Sequence, residues 1–134
     1  MDGARQALFD EGMAVRRQVL GDDHVNRSMA NATEFSMPVQ ELVTEYCWGA
    51  VWSRPGLDRR TRSLLNIGML TVLNRPQELQ SHVRGALNNG CTRAEIQEAL
   101  LQAAVYAGMP AGIDAFRSAE AVLSGLGPPP PPST

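Results

Sequence analysis

The apolar residues of this chain recur at spacings of three and four, which is the period of an amphipathic α-helix. The first such segment spans residues 4–20, and Gly21 after it supplies the backbone conformation that ends many helices. The segment "GDDHVNRS" then breaks the pattern. The next helix is expected after Ser36, a cap residue followed by Pro38 in the first turn, and its apolar positions continue to Val51.

Cap and turn residues divide the rest of the chain into four more predicted helices. Each begins at or near a residue that favours a helix N-terminus: Asp58, Pro76, Thr92 and Pro110. The clearest signal is "TRAE", because Thr92 and Glu95 have the spacing of a capping box. The helix after Asp58 is apolar nearly all round over Leu64–Leu73, so we expect it to be buried on most sides. The last helix reaches about Leu123.

These patterns predict an all-α fold, since no segment alternates like a strand and no internal repeat is present. We expect one compact multi-helix domain over residues 1–127, followed by an extended Pro-rich tail over residues 128–134. A bundle of 134 residues has too few other helices to cover the apolar segment Leu64–Leu73 on all sides. The sequence therefore favours a symmetric homo-oligomer in which a second subunit covers this helix.

Composition excludes several classes of protein. The apolar content of 43% and the charged content of 19% are typical of a globular protein. A net charge of −2 without a basic run argues against nucleic acid as a partner. No apolar run approaches the roughly 20 residues of a membrane span, and the N-terminus has no apolar signal region, so a cytoplasmic location is expected. Cys47 and Cys91 form neither a metal-binding nor a redox spacing, and no metal is expected.

The first candidate for chemistry is a pair on the predicted helix after Pro76. Glu78 and His82 are four residues apart and so share one helix face. A carboxylate beside an imidazole favours its charged form and fixes its tautomer, which suits a proton donor or acceptor near neutral pH. The alternative is a partly exposed helix pair worth a few tenths of a kcal/mol.

A second group of candidates lies in "CWGAVWSRPGL". Trp48 and Trp52 are one helical turn apart, and Arg54 follows at the helix end. They are either two core aromatic residues with a surface arginine or an apolar wall with a carboxylate anchor at its mouth. Arg62, just before the apolar helix, is either paired structurally or directed at an anion.

His24 and Arg27 in "GDDHVNRS" are further candidates for substrate binding. The chain contains no glycine-rich phosphate loop, metal-ligand cluster or serine-nucleophile motif. The residues by themselves therefore indicate a cofactor-free helical pocket for a small organic acid.

Three long strings taken together resemble the carboxymuconolactone decarboxylase family. They are "GMAVRRQVLGDDHVNRS", "CWGAVWSRPGLDRRTRSLLNIGML" and "ELQSHVRGALNNGCTRAEIQEALLQAAVYAGMPA". The resemblance covers residues 11 to about 123. It implies an all-α, AhpD-like fold, a homo-oligomer that is commonly a hexamer built as a trimer of dimers, and a carboxy-lyase that needs no cofactor. The implied reaction converts 4-carboxymuconolactone to the 3-oxoadipate enol-lactone in protocatechuate breakdown.

The candidates match the tasks of this reaction in chemical type. We expect catalysis by His82, Glu78 and Arg62, and substrate binding by the remaining residues: Arg54, Trp48, Trp52, His24 and Arg27. The chain departs from the family pattern at Ala50, where an acid is expected, and at Ile113, where an asparagine is expected. The peroxidase-like branch is not favoured, because no Cys-x-x-Cys pair precedes His82.

The departures keep other functions open. One alternative is a family member recruited to a biosynthetic pathway, which acts on a different lactone or β-keto acid by decarboxylation, isomerisation or cyclisation. A further alternative is a non-catalytic helical oligomer that binds a small acid or a partner protein.

Overall fold

The computed structural model describes residues 1–127, and within this range the chain is helical and contains no strand. Its elements are α1 (Gly3–Leu20), α2 (Asp22–Asn31), α3 (Met37–Leu42), a π-helical segment (Val43–Trp52), α4 (Arg59–Leu73), α5 (Pro76–Asn88), α6 (Arg93–Ala107) and α7 (Met109–Gly125). The predicted all-α class is confirmed. The expected Pro-rich tail over residues 128–134 lies outside the described residues.

Contacts between residues divide the chain into two units. Unit 1 is Met1–Arg59, and unit 2 is Arg60–Thr134, of which residues 60–127 are described. Unit 1 holds α1, α2, α3 and the π-helical segment. Unit 2 holds α4 from its second residue onward, with α5, α6 and α7.

The segment "GDDHVNRS", expected to be irregular, is mostly helical, so that prediction was wrong. Gly21 has a φ of +90° and ends α1 as expected, but α2 begins at the next residue. Asp22 and Asp23 lie in the first turn of α2, where negative charge is favourable to the helix dipole. Val25 is completely buried and attaches this polar helix to the core of unit 1. Met29, four residues later, is partly buried against the same core. Two apolar contacts are too few to establish a helical period, which is why the pattern missed α2.

The helix expected after Ser36 begins at Met37 but changes its winding at Val43. Side-chain hydroxyls bond to carbonyl groups at both ends of the π-helical segment. Thr44 Oγ1 donates to the carbonyl oxygen of Gln40 at 2.7 Å, and the Ser53 hydroxyl donates to that of Gly49. These bonds satisfy backbone carbonyls at points where the helix changes its winding.

Two glycines let the backbone of α1 approach the backbone of the π-helical segment. A Cβ atom on Gly12 would lie 2.0 Å from the carbonyl oxygen of Thr44. A Cβ atom on Gly49 would lie 2.5 Å from the carbonyl oxygen of Leu8. Any larger residue at either position would therefore meet backbone rather than a movable side chain. Around this contact the buried core of unit 1 contains Val15, Val19, Leu20, Val25, Trp48 and Trp52.

In unit 2, α5 and α6 pack on α7. The buried core contains Ile67, Leu79, Val83, Ala86, Cys91, Ile96, Leu100, Ala115, Ala119 and Val122. The predicted capping box of α6 is confirmed, since Thr92 Oγ1 accepts from the Glu95 amide at 3.1 Å and Glu95 accepts from the Thr92 amide at 2.9 Å. The ion pair with Arg60, together with these cap bonds, lowers the pKa of Glu95 to about 2.

The segment Leu64–Leu73 was expected to be buried on most sides, but only one side of it is buried within the chain. Ile67 and Thr71 are buried, whereas Leu65, Met69 and Leu73 are about half exposed or more. The exposed side is what the predicted subunit interface would cover. Separately, no helix within residues 1–127 is long and apolar enough to cross a membrane.

The backbone approach at Gly12 leads to a prediction about stability. Gly12→Ala should destabilise the protein by about 1–3 kcal/mol, because the new methyl group must displace the backbone of the π-helical segment. Thermal unfolding followed by circular dichroism measures this loss.

Gly3→Ala is the matched control on the same helix, because a Cβ atom at Gly3 meets nothing within 4 Å. It should leave the melting temperature unchanged or raise it slightly, since alanine favours a helix over glycine. Equal melting temperatures for the two variants would contradict the close backbone contact.

Candidate active site

Two of the candidate residues form a stacked pair in unit 1. The indole rings of Trp48 and Trp52 have centroids 4.8 Å apart and planes inclined by 29°. Only 4% of Trp48 and 7% of Trp52 is exposed, so both rings belong to the core of unit 1. The interpretation as core aromatic residues is therefore confirmed, and a contact with substrate would use only a small part of either ring.

The other unit 1 candidates lie on α2 and at the end of the π-helical segment. His24 is half-buried on α2, and Arg27, one turn later, is exposed. Arg54 is exposed two residues after the π-helical segment ends, where its backbone amide donates to the Val51 carbonyl at 3.0 Å. Ala50, the position where the family pattern has an acid, is half-buried.

Unit 1 also buries a cation that the sequence analysis did not identify. Arg16 is 6% exposed, and its guanidinium donates to Thr44 Oγ1 at 3.2 Å and to Gln40 Oε1 at 3.0 Å. Burial, together with the neighbouring charge of Arg17, lowers the pKa of this guanidinium. Neutral oxygens rather than a carboxylate hold Arg16, so its contacts bind α1 to α3 and the π-helical segment.

In unit 2, the contact that bears most on chemistry joins α4 to α5. Asn66 Nδ2 lies 3.4 Å from Nδ1 of His82, and both side chains are half-buried. Asn66 was missed as a site residue, although it is the polar residue that interrupts the apolar run "LLNIGML". A polar side chain inside such a run is the signal that could have identified it.

Arg62 belongs to the same part of unit 2. It precedes Asn66 by four residues on α4, so the two side chains share one helix face. Arg62 is half-buried, whereas Glu78 is exposed in the first turn of α5. Within residues 1–127, no hydrogen bond or ion pair joins Glu78 to His82. The structure thus brings Asn66 and His82 into contact, with Arg62 one turn before Asn66 on the same face of α4.

An open apolar groove of about 730 Å³ runs between α4 and α6. Its lining residues are Thr61, Leu64, Leu65, Gly68, Met69, Val72, Leu73, Ala99, Gln102, Ala103 and Tyr106. Neither Arg62 nor His82 lines it. Its surface is almost entirely apolar, and its polar lining residues, Thr61, Gln102 and Tyr106, carry no charge that would bind an organic acid. Its exposed apolar side chains are those that a subunit interface would cover.

Within residues 1–127, no group of three or more histidine, cysteine or acidic side chains is placed to hold a metal ion.

The sequence of the chain matches a known protein family. Residues 38–121 match the model of the carboxymuconolactone decarboxylase family. A nitrosuccinic acid decarboxylase of Metarhizium robertsii is 53% identical over 115 residues, which cover 86% of this chain and 80% of that protein. A 4-carboxymuconolactone decarboxylase of Acinetobacter baylyi is 45% identical over 119 residues, which cover 89% of each chain.

The chain is thus a helical carboxy-lyase that acts on a carboxylated substrate. It belongs to the carboxymuconolactone decarboxylase family. The non-catalytic alternative is not supported, because both of these relatives are named as decarboxylases.

Proposed function

We propose that this protein removes CO₂, without a cofactor, from a small organic acid that carries its own electron sink. The first proposed substrate is 4-carboxymuconolactone, and its product is the 3-oxoadipate enol-lactone. The observation that carries the proposal is the contact of Asn66 with the imidazole of His82, and the cation Arg62 one turn before Asn66 on α4 supports it.

In the lactone, the carboxylate that leaves is bonded to the ring carbon next to the ring oxygen. When that carbon–carbon bond breaks, its electron pair moves through the ring double bond to the lactone carbonyl. The resulting enolate is then protonated on the carbon next to the carbonyl. The substrate supplies the electron sink, so the protein has to bind the acid, stabilise the enolate oxygen and provide a proton.

Each task has a candidate of the right chemical type. Arg62 and Arg54 are proposed to bind carboxylate groups, because a guanidinium can hold a carboxylate through two hydrogen bonds. His82 is proposed either to protonate the enolate carbon or to hydrogen bond the enolate oxygen. Glu78 remains a proposed acidic partner on the same face of α5.

The unit 1 candidates have supporting roles in the proposal. His24 and Arg27 add two basic side chains on α2. The Trp48–Trp52 pair would present its few exposed atoms as an apolar surface. An apolar surface beside the leaving carboxylate favours decarboxylation, because the charge becomes spread out as CO₂ departs.

A second candidate substrate is nitrosuccinic acid. The Metarhizium relative named for this acid shares 53% identity with the chain, against 45% for the Acinetobacter relative named for the lactone. Loss of the carboxylate next to the nitro group would leave the electron pair on the nitro oxygens, and protonation of that carbon would complete the reaction. The demands on the protein are the same: bind the remaining carboxylate, stabilise anionic oxygens and provide a proton.

The proposed assembly is a homo-oligomer, with a hexamer built as a trimer of dimers as the expected form. The support is the exposed apolar side of α4, where Met69 and Val72 are 52% and 60% exposed. Tyr106 on α6, 82% exposed, lines the same groove. Covering this surface would remove a large apolar area from water.

The substrate prediction is tested by measuring turnover of 4-carboxymuconolactone and of nitrosuccinic acid by the same preparation. We expect decarboxylation of at least one of the two acids, with kcat/KM deciding which is the substrate. Absence of CO₂ release from both would contradict the proposed substrates and favour a different lactone or β-keto acid.

Ala50→Glu is the informative variant in that comparison. If the missing acid has turned the site away from the lactone, this change should raise lactone turnover relative to nitrosuccinic acid turnover. Fast lactone turnover by the natural chain would instead show that the acid is dispensable.

The role of His82 gives a separate prediction. His82→Ala should lower kcat by ~10²–10⁴, the usual contribution of general acid catalysis. The fold should persist, because alanine is a strong helix former. Turnover is measured beside thermal melts. A folded variant with a near-normal rate would exclude the role and direct attention to His24.

His82→Gln separates the two proposed roles of the imidazole. Glutamine keeps a hydrogen-bond donor but does not deliver a proton at neutral pH. Substantial recovery of kcat relative to His82→Ala would favour hydrogen bonding to the anionic oxygen, whereas no recovery would favour proton transfer to carbon.

The oligomer prediction is tested by light scattering at micromolar concentration. We expect a mass of several times the 14.5 kDa chain, with six copies as the leading expectation. Met69→Glu should shift the mass toward smaller species, because it places a charge in the apolar groove. Gln97→Glu, an exposed position on α6 that does not line that groove, is the control. A monomer at all concentrations would contradict the prediction.

A further inference from the structure

We propose that Asn66 is a positioning residue, which holds His82 as the neutral tautomer with its proton on Nε2 and so presents an Nε2–H donor to the substrate. The inference rests on the proposed role of His82 and deepens it, because it selects hydrogen bonding to the anionic oxygen as that role. The observation behind it is the contact between Asn66 Nδ2 and His82 Nδ1 at 3.4 Å.

The chemistry of the two facing atoms sets the tautomer. The amide nitrogen of asparagine carries two hydrogens and only donates. The nitrogen that it faces must therefore offer a lone pair, which neither an imidazolium nor an Nδ1–H tautomer has at that position. A neutral ring with a bare Nδ1 carries its proton on Nε2. The distance is at the long end for a hydrogen bond, as is common for catalytic contacts before substrate binds.

The position of Asn66 in an apolar stretch of α4 supports a role for its side-chain amide in the contact with His82. Asparagine is a weaker helix former than leucine, and its neighbours in "LLNIGML" are mostly apolar. Asn66 lies in the interior of α4, one turn after Arg62, where its backbone already takes part in the helix. The side chain faces His82 on α5, so its polar group serves the contact between the two helices.

The tautomer decides what His82 does. A neutral imidazole N–H is a very weak acid but a good hydrogen-bond donor. At the moment CO₂ leaves, negative charge develops on the lactone carbonyl oxygen or on a nitro oxygen. A fixed Nε2–H pointing at that oxygen stabilises the charge without a change of protonation, as oxyanion-type donors do. The proton that finally reaches carbon then comes from water, and His82 keeps its own.

The first experiment determines the tautomer of His82 and does not depend on enzyme activity. The chain has only two histidines, so ¹⁵N NMR of the ring nitrogens gives two sets of signals. The set that disappears in His82→Gln belongs to His82. We expect one bare nitrogen and one protonated nitrogen for this ring at neutral pH, with the proton on Nε2. A proton on Nδ1, or on both nitrogens, would overturn the inference.

The second experiment changes the facing group. Asn66→Asp replaces the donor with an acceptor, which should move the proton onto Nδ1 and leave Nε2 without a hydrogen to donate. Turnover of the better substrate should fall about tenfold or more in kcat, the scale of one lost hydrogen bond. KM should change little, because no group that binds the remaining carboxylate is removed.

Asn66→Leu removes the donor at a similar volume and suits an apolar helix, so it tests the same point if the aspartate variant is unstable. The matched control is Gln97→Glu, which makes the same amide-to-carboxylate change at an exposed position on α6. The control should keep the ¹⁵N pattern and kcat of the natural chain. Unchanged ring signals and unchanged kcat in both Asn66 variants would overturn the positioning role.

The proposed role of His82 and the proposed role of Asn66 would be refuted by different results. A folded His82→Ala variant with normal turnover would refute the role of His82 while leaving the tautomer measurement valid. An essential His82 with its proton on Nδ1 would refute only the part assigned to Asn66.

Discussion

The backbone-to-backbone approach of α1 and the π-helical segment is the constraint on which unit 1 depends. Gly12 and Gly49 are the two positions where only hydrogen fits between the backbones. Because the two backbones lie so close, Arg16 of α1 reaches Thr44 and Gln40 and remains buried without a carboxylate. The same approach fixes the segment that carries Trp48 and Trp52. A π-helix at such a place is in keeping with the frequent use of this winding near functional sites.

In unit 2 one helix serves two purposes. One side of α4 carries Ile67 into the core, while another side leaves Leu65 and Met69 about half exposed along an apolar groove. Between these two sides lie Arg62 and Asn66, and Asn66 contacts His82. Within the apolar stretch Leu64–Leu73 the polar residues are Asn66 and Thr71, and Thr71 bonds the Ile67 carbonyl of its own helix. Asn66, whose side chain contacts α5, is therefore the best new candidate for chemistry.

The relatives that the chain matches are named for acids with different frameworks, a lactone and a nitro acid. The two decarboxylations place the same chemical demands on a protein, because in each substrate the electron pair left by CO₂ can be delocalised onto the substrate's own oxygen atoms. The protein then needs a carboxylate anchor, a donor for the anionic oxygen and an apolar surface near the leaving group. Ala50 and Ile113 are two positions where this chain departs from the family pattern.

The sequence by itself determined the all-α class, most helix boundaries and the capping box of α6, because these follow from period, glycine, proline and cap chemistry over a few residues. It also determined the family through three long strings. Helix α2 was not predicted, because its two apolar contacts with the core, Val25 and Met29, are too few to establish a period. Only the tertiary structure decided that Val43–Trp52 winds as a π-helix, that Arg16 is buried, and that Asn66 rather than Glu78 contacts His82. Those facts depend on which helices meet, and residues 16 or 28 positions apart along the chain give no periodic signal of their contact.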